Sequence, residues 1–143
     1  MASTDLSLQA LLSRAQIYCA RGERCVSQVG AKLLQWGAEE DDVDGLIEQL
    51  KKEKYIDEER FCRAYAHDKV QYQGWGKYKI KMMLRGLGLS GGDIEIGLNS
   101  IDENEYFRMM NKVAASKKGV SKEQLARFLM QRGYSYDDIC RRS

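Results

Sequence analysis

One spacing pattern of apolar residues and glycine occurs three times along the chain. An aliphatic residue is followed after three residues by Leu, after three more by Gly, and after five more by Val or Ile. Asp precedes the last apolar position in every copy. The copies begin 51 and 45 residues apart, a period that indicates a repeat architecture. They are Val29, Leu33, Gly37 and Val43; Ile80, Leu84, Gly88 and Ile94; and Leu125, Leu129, Gly133 and Ile139.

Each copy is typical of a helix, a glycine stop and a second, capped helix. In the middle copy the apolar residues fall on one helical stripe, and Gly88 follows where a helix ends in a left-handed residue. Ser90 is then predicted to cap the next helix, with Asp93 three residues on. Glu39 stands at the cap position of the first copy, so that cap is predicted to be weaker, with Asp41 as a substitute.

A further helix is predicted before each pair, at about residues 6–21, 57–73 and 103–117. No segment alternates polar and apolar residues for long, so strands have little support. The sequence therefore predicts an all-α protein, made of three tandem three-helix units that form an elongated, curved array. We expect these units at residues 1–54, 55–101 and 102–143, the last with a short final helix.

Composition and motifs argue against several classes of protein. There is no segment typical of a signal peptide or a membrane span, which predicts a cytoplasmic protein, and we expect a monomer. The four cysteines, at positions 19, 25, 62 and 140, lack metal-ligand spacing, and no nucleophile lies in a known catalytic motif. We therefore expect no metal, no cofactor and no enzymatic activity.

Charge is distributed unevenly along the chain. The net charge is only +2, too small for a protein that binds nucleic acid by bulk electrostatics. Two local clusters are more informative, because basic residues beside aromatic ones suit single-stranded nucleic acid or an acidic protein surface. The alternative is that these are solvated helix faces, with the aromatic residues closing a turn. The clusters are Trp75, Lys77, Tyr78, Lys79, Lys81 and Arg85; and Lys117, Lys118, Lys122 and Arg127.

Two segments of the chain also resemble a known family. Residues 55–65, from Tyr55 to Tyr65, are similar to a motif of RecX proteins in which an acidic pair precedes Arg-Phe and a later Tyr. Residues 74–80 resemble the family's Gly-aromatic-Gly turn that leads into a basic helix. The chain departs from the family pattern at Lys77, where Pro is common, and at Met83, where an acidic residue is common.

The resemblance implies a fold and a function. RecX proteins consist of tandem three-helix units and bind the filament that the recombinase RecA forms on single-stranded DNA, where they restrain its growth, ATPase and strand exchange. The leading hypothesis is therefore a non-enzymatic regulator of RecA that modulates recombination and repair. Arg60, Arg63 and Tyr65 join the two clusters above as predicted partner-binding residues. A module that binds single- or double-stranded DNA directly, and an adaptor for another acidic protein, are the alternatives.

Overall fold

A computed structural model describes the backbone of residues 2–141 and the side chains of residues 7–141. Over this part of the chain the structure is helical and contains no strand, which confirms the predicted all-α class. No helix in it has the length and apolar character needed to cross a membrane. The helices are α1 (Ala2–Ala20), α2 (Val26–Gln35), α3 (Glu40–Lys52), α4 (Glu58–Asp68), α5 (Lys77–Gly86), α6 (Gly91–Asn99), α7 (Glu103–Ala115), α8 (Lys122–Gln131) and α9 (Tyr136–Arg141), with a π-helical turn at Lys69–Gln73.

The chain divides into two compact units, Met1–Phe61 and Cys62–Ser143, with the boundary inside α4. The first unit holds α1 to α3 and the start of α4, and the second holds the remaining helices. Helices of the predicted second and third repeats therefore lie in the same compact unit. The division into three repeats and the elongated, curved shape remain predictions.

The first unit has its core between α1, α2 and α3. The core consists of small and aliphatic side chains, because the apolar stripes of three helices meet there. The backbone N–H of Val26 at the start of α2 donates to Glu58 Oε2 at 3.1 Å, so α4 supplies a partner for an otherwise unpaired helix end. The buried members of the core are Ala15, Cys19, Val29, Leu33, Ala38, Leu46, Ile47, Leu50 and Ile56.

The second unit buries the matching stripes of α5 and α8. Ile80, Leu84 and Leu129 are completely buried. The helices α4 and α6 approach each other closely at Gly97, where a Cβ atom would lie 2.8 Å from the backbone of Cys62. Only a residue without a side chain permits this approach, so Gly97 allows α6 to pack directly against the backbone of α4.

The glycine that ends the first helix of each pair adopts a left-handed conformation in all three copies. The φ angles are +99° at Gly37, +87° at Gly88 and +102° at Gly133. Caps also agree with the sequence: the Ser90 hydroxyl accepts from Asp93 N at 3.2 Å, while Glu39 makes no side-chain cap. The suggested substitute for that cap was wrong, because Asp41 is already the second residue of α3 and the cap position is Glu39.

Candidate partner-binding surface

The two compact units carry opposite net charge. Residues 1–61 contain 8 Lys and Arg against 12 Asp and Glu, a net charge of −4. Residues 62–143 contain 15 against 9, a net charge of +6. Within the second unit, residues 69–92 include five basic residues and no acidic one. Electrostatic attraction for an anionic partner therefore concentrates in the second unit.

A contact between two turns organises this positive unit. The turn at residues 74–76 lies against the turn at residues 132–134, although the two are far apart in sequence. Gly76 N donates to Arg132 O at 2.8 Å, and Tyr78 N donates to Gly133 O at 3.0 Å. The Arg132 guanidinium also donates to the carbonyl oxygens of Gln73 and Gly74. The first turn of α5 is thus joined to the end of α8 by backbone hydrogen bonds.

Two buried tyrosines complete this turn-to-turn contact. The hydroxyl of Tyr134 donates to Gly74 O at 2.9 Å, and the hydroxyl of Tyr106 accepts from Lys77 N at 2.8 Å. The rings lie 5.5 Å apart, and their side chains are 2% and 1% exposed. Burial raises the pKa of both phenols, that of Tyr134 to about 12. Both hydroxyls are therefore protonated at neutral pH.

These raised pKa values predict a loss of stability in alkali. Above pH ~10 the tyrosines of the unfolded chain lose their protons while the buried ones keep them, so the free energy of unfolding falls as the pH rises. Each buried tyrosine should contribute a slope of about 1.4 kcal/mol per pH unit between its unfolded and folded pKa values, and nothing below them. Urea unfolding at a series of pH values from ~9 to ~12 measures this slope.

A Tyr134→Phe variant tests the assignment. Above pH ~10 the free energy of unfolding of this variant should fall less steeply with pH than that of the parent, by about 1.4 kcal/mol per pH unit. This difference in slope does not depend on the stability of the variant at neutral pH. Tyr72→Phe is the matched control, because the Tyr72 ring is 72% exposed and the same hydroxyl is removed. An unchanged slope in Tyr134→Phe would show that its hydroxyl does not carry the alkaline effect.

The turn-to-turn contact holds Trp75 among cations. The Lys79 Nζ lies 4.4 Å from the centre of the Trp75 ring, and the Lys69 Nζ lies 4.9 Å from the same ring. Lys69 also lies 5.2 Å from the ring of Tyr65, so that one row alternates ring and cation. We call Tyr65, Lys69, Trp75 and Lys79 the Trp75 surface. Trp75 N donates to Lys69 O at 3.0 Å, which joins the backbone of Trp75 to the π-helical turn.

The structure places the other predicted residues of α5 differently. Lys77 points toward α7, with its Nζ 4.8 Å from the ring of Tyr106. The Tyr78 ring is 65% exposed, and Arg85 is exposed on the same helix. Lys81 is half-buried. Cations of α5 therefore extend the positive surface beyond Trp75 in more than one direction.

The second predicted cluster is split between two grooves. Lys117 and Arg127 line one groove with Phe128, and Lys117 Nζ lies 4.7 Å from that ring. Lys122 lines a separate groove with Tyr136, between α8 and α9. Lys118 is exposed in the segment that joins α7 to α8. Lys118 lines neither groove, so these four cations do not form one cluster.

The residues of the tyrosine motif fall in different environments. The Arg60 Nε lies 2.5 Å from Glu23 Oε2 within the first unit, and the guanidinium also donates to Lys54 O at 3.2 Å. Arg60 therefore joins α4 to the end of α1 and the end of α3. Arg63 is exposed, and Tyr65 is half-buried beneath Lys69. Phe61, which follows Arg60 in the motif, is 4% exposed and belongs to the core.

Three further residues contribute to the positive unit but were not predicted from the sequence. Lys69 lies outside the predicted cluster but follows Tyr65 by four residues, a helical spacing that places both on one face. Phe128 forms the apolar centre of the groove that holds Lys117 and Arg127. Arg132 donates to the carbonyl of Gln73, a contact between distant segments for which the sequence gives no signal.

Comparison with known proteins reveals one family. Residues 57–98 match the model of RecX, second three-helix domain. The chain is 31% identical over 122 residues to the regulatory protein RecX of Clostridium tetani, covering 78% of this chain and 56% of that protein. It is 24% identical over 135 residues to the regulatory protein RecX of Herbaspirillum seropedicae, covering 91% of this chain and 86% of that protein.

Solved structures support the same fold. The crystal structure of RecX from Lactobacillus salivarius superimposes with a TM-score of 0.83 over 94% of this chain and 93% of that chain, at 19% identity. A second crystal structure, of regulatory protein RecX, gives the same TM-score but is matched over 72% of its length. The chain spans 56% to 64% of the length of the clostridial relatives from C. tetani, C. acetobutylicum and C. botulinum.

Proposed function

We propose that this chain, which is placed in the RecX family by its match to the model of RecX, second three-helix domain, over residues 57–98 and by its similarity to regulatory proteins RecX, regulates the recombinase RecA. In this proposal the chain acts in the cytoplasm as a monomer without catalytic activity. It binds the RecA filament on single-stranded DNA and restrains filament growth, ATP hydrolysis and strand exchange. The relatives are named regulatory proteins, which supports a regulatory role.

The Trp75 surface is the observation on which this proposal depends. Lys69 and Lys79 lie against an aromatic ring whose backbone is held by hydrogen bonds, so little backbone freedom is lost when a partner binds. Neither lysine makes an ion pair with a described carboxylate. An aromatic ring between two uncompensated cations suits the central contact of an interface with an acidic protein surface.

Neutralising this surface should weaken inhibition of RecA. We expect the double variant Lys69→Gln with Lys79→Gln to need about a tenfold higher concentration to halve ATP hydrolysis by RecA on single-stranded DNA, because two charge-assisted contacts are lost. A companion triple variant, Lys77→Glu with Lys81→Glu and Arg85→Glu, reverses the charge along α5. It should weaken inhibition further if the contact extends along this helix.

The matched control removes the same charge elsewhere. Lys51→Gln with Lys52→Gln changes two exposed lysines at the end of α3 in the negative first unit and should inhibit as the parent does. Circular dichroism and thermal unfolding should be the same for all these variants. If the Lys69 and Lys79 variant inhibits as well as the parent, the Trp75 surface is not the contact.

A direct DNA-binding module is the second candidate. The net charge of +6 in the second unit and its aromatic residues favour this class. Titration of the chain with single- and double-stranded DNA in the absence of RecA separates the two. Tight binding with a steep dependence on salt would favour the DNA-binding module, whereas weak binding favours the filament.

A further inference from the structure

A separate group of cations and aromatic rings lies in the first compact unit, on α1 and α2. The rings of Tyr18 and Trp36 meet edge to face with their centres 6.0 Å apart. The Arg14 guanidinium lies 4.4 Å from the centre of the Trp36 ring, and that of Arg24 lies 4.1 Å from the Tyr18 ring. The Lys32 Nζ lies 5.8 Å from the Tyr18 ring. We call these five residues the α1/α2 face.

The positive charge of this face is not neutralised by its neighbours. Residues 6–38 contain four basic residues and a single acidic one, Glu23, whose carboxylate binds Arg60. Among the described side chains, none of the four cations forms an ion pair. The negative charge of the first unit lies instead in residues 39–48, where six acidic residues occur and no basic one.

A hydrogen bond to the backbone holds one of the two arginines of the face. Arg24 Nε donates to Tyr18 O at 3.2 Å, which fixes the guanidinium relative to the ring. A guanidinium stacked on a ring keeps its N–H donors in its own plane, where they bind a carboxylate through two parallel hydrogen bonds. Arg14 and Arg24 lie on two rings whose centres are 6.0 Å apart, so the face offers two guanidinium groups to a segment with several carboxylates.

We propose that the α1/α2 face binds a carboxylate-rich protein segment, independently of the Trp75 surface. Two observations favour such a segment over a nucleic acid strand. The cations already lie on the rings of Tyr18 and Trp36, so bases that stack there must first displace them. The six acidic residues at 39–48 in the same compact unit repel a long polyanion more strongly than a short peptide.

Trp36 fluorescence tests the proposal directly. The chain contains two tryptophans, so Trp75→Phe leaves Trp36 as the sole reporter, located on the proposed face. This variant is titrated at low salt with a short peptide of alternating Glu and Asp, and separately with oligothymidine of equal negative charge. We expect a saturable change in Trp36 emission with the peptide and a weaker response to oligothymidine.

Two charge variants in the same background locate the binding. Arg14→Gln with Arg24→Gln should raise the dissociation constant of the peptide about tenfold. Lys32→Gln, which removes a cation further from the rings, should raise it about threefold without altering thermal unfolding. Lys51→Gln with Lys52→Gln, also in the first unit, is the matched control and should bind as the parent does.

Other outcomes overturn the proposal. An absence of saturable peptide binding, or peptide binding that is undiminished in Lys32→Gln and in the arginine double variant, excludes this face as the site. Oligothymidine binding that is tighter than peptide binding assigns the face to nucleic acid instead. A loss of affinity in the lysine control equal to that in the arginine variant would show a general charge effect rather than a site.

Discussion

Replacing Gly76 by alanine should lower the free energy of unfolding by about 3 kcal/mol or more. A Cβ atom on Gly76 would overlap the backbone atoms Gly133 C and Tyr134 N. Backbone atoms cannot rotate away as the end of a side chain can, so the two turns must separate and their hydrogen bonds must break. Urea unfolding followed by circular dichroism measures the loss.

Gly86→Ala is the control for this substitution. Gly86 lies in α5, and no atom of the surrounding structure lies within 4 Å of the position that a Cβ would take, so the added methyl group meets only solvent. Gly86 is the last residue of the helix, so this change should raise stability by at most about 0.5 to 1 kcal/mol, because alanine loses less conformational entropy on folding. A Gly76→Ala protein within ~1 kcal/mol of the parent would show that the two turns do not need their close approach.

Gly133→Ala should lower the free energy of unfolding by a comparable amount. Comparison with Gly88, the equivalent residue of the middle copy, shows why. Gly133 and Gly88 both end a helix with a positive φ, where alanine is strained by about 1 to 3 kcal/mol. At Gly88 nothing lies within 4 Å of an added Cβ. At Gly133 that atom would be 2.5 Å from Lys79 Cβ and 2.6 Å from Lys79 N. Gly133→Ala adds this overlap to the strain.

The comparison of these two variants isolates the packing contribution. We expect Gly133→Ala to lose at least ~2 kcal/mol more than Gly88→Ala in urea unfolding. The proposed function further predicts that this variant inhibits RecA less well, because the displaced Lys79 belongs to the Trp75 surface. Equal losses at the two positions would mean that only the backbone conformation matters and that the turn-to-turn contact adds no stability.

Local patterns in the sequence predicted much of the secondary structure. The stripe around Ile80 and Leu84, the glycine stop at Gly88 and the Ser90 cap depend on residues within a few positions of one another. Such short-range signals determine where a helix lies and where it ends. The same reasoning predicted a weak cap at Glu39, and the structure shows no side-chain hydrogen bond there.

Contacts between distant segments were not predictable in this way. Residues 74–76 have the composition of an ordinary turn. Nothing near them in the sequence indicates that Gly76 packs against Gly133. Lys69 was missed because its partner Trp75 is brought to it by a π-helical turn, a geometry without a clear sequence signal. The Trp75 surface therefore depends on the geometry of the π-helical turn and on the contact between residues 74–76 and the end of α8.

The π-helical turn also limits how the chain can vary in length. Two hydrogen bonds anchor the backbone at the end of the interval from Tyr65 to Trp75, one from Trp75 N to Lys69 O and one from Gly76 N to Arg132 O. One inserted or deleted residue in a helical segment rotates everything beyond it by about 100°. Such a change would move the indole away from both lysines. The length of this interval is therefore constrained, and it should tolerate substitutions more readily than insertions or deletions.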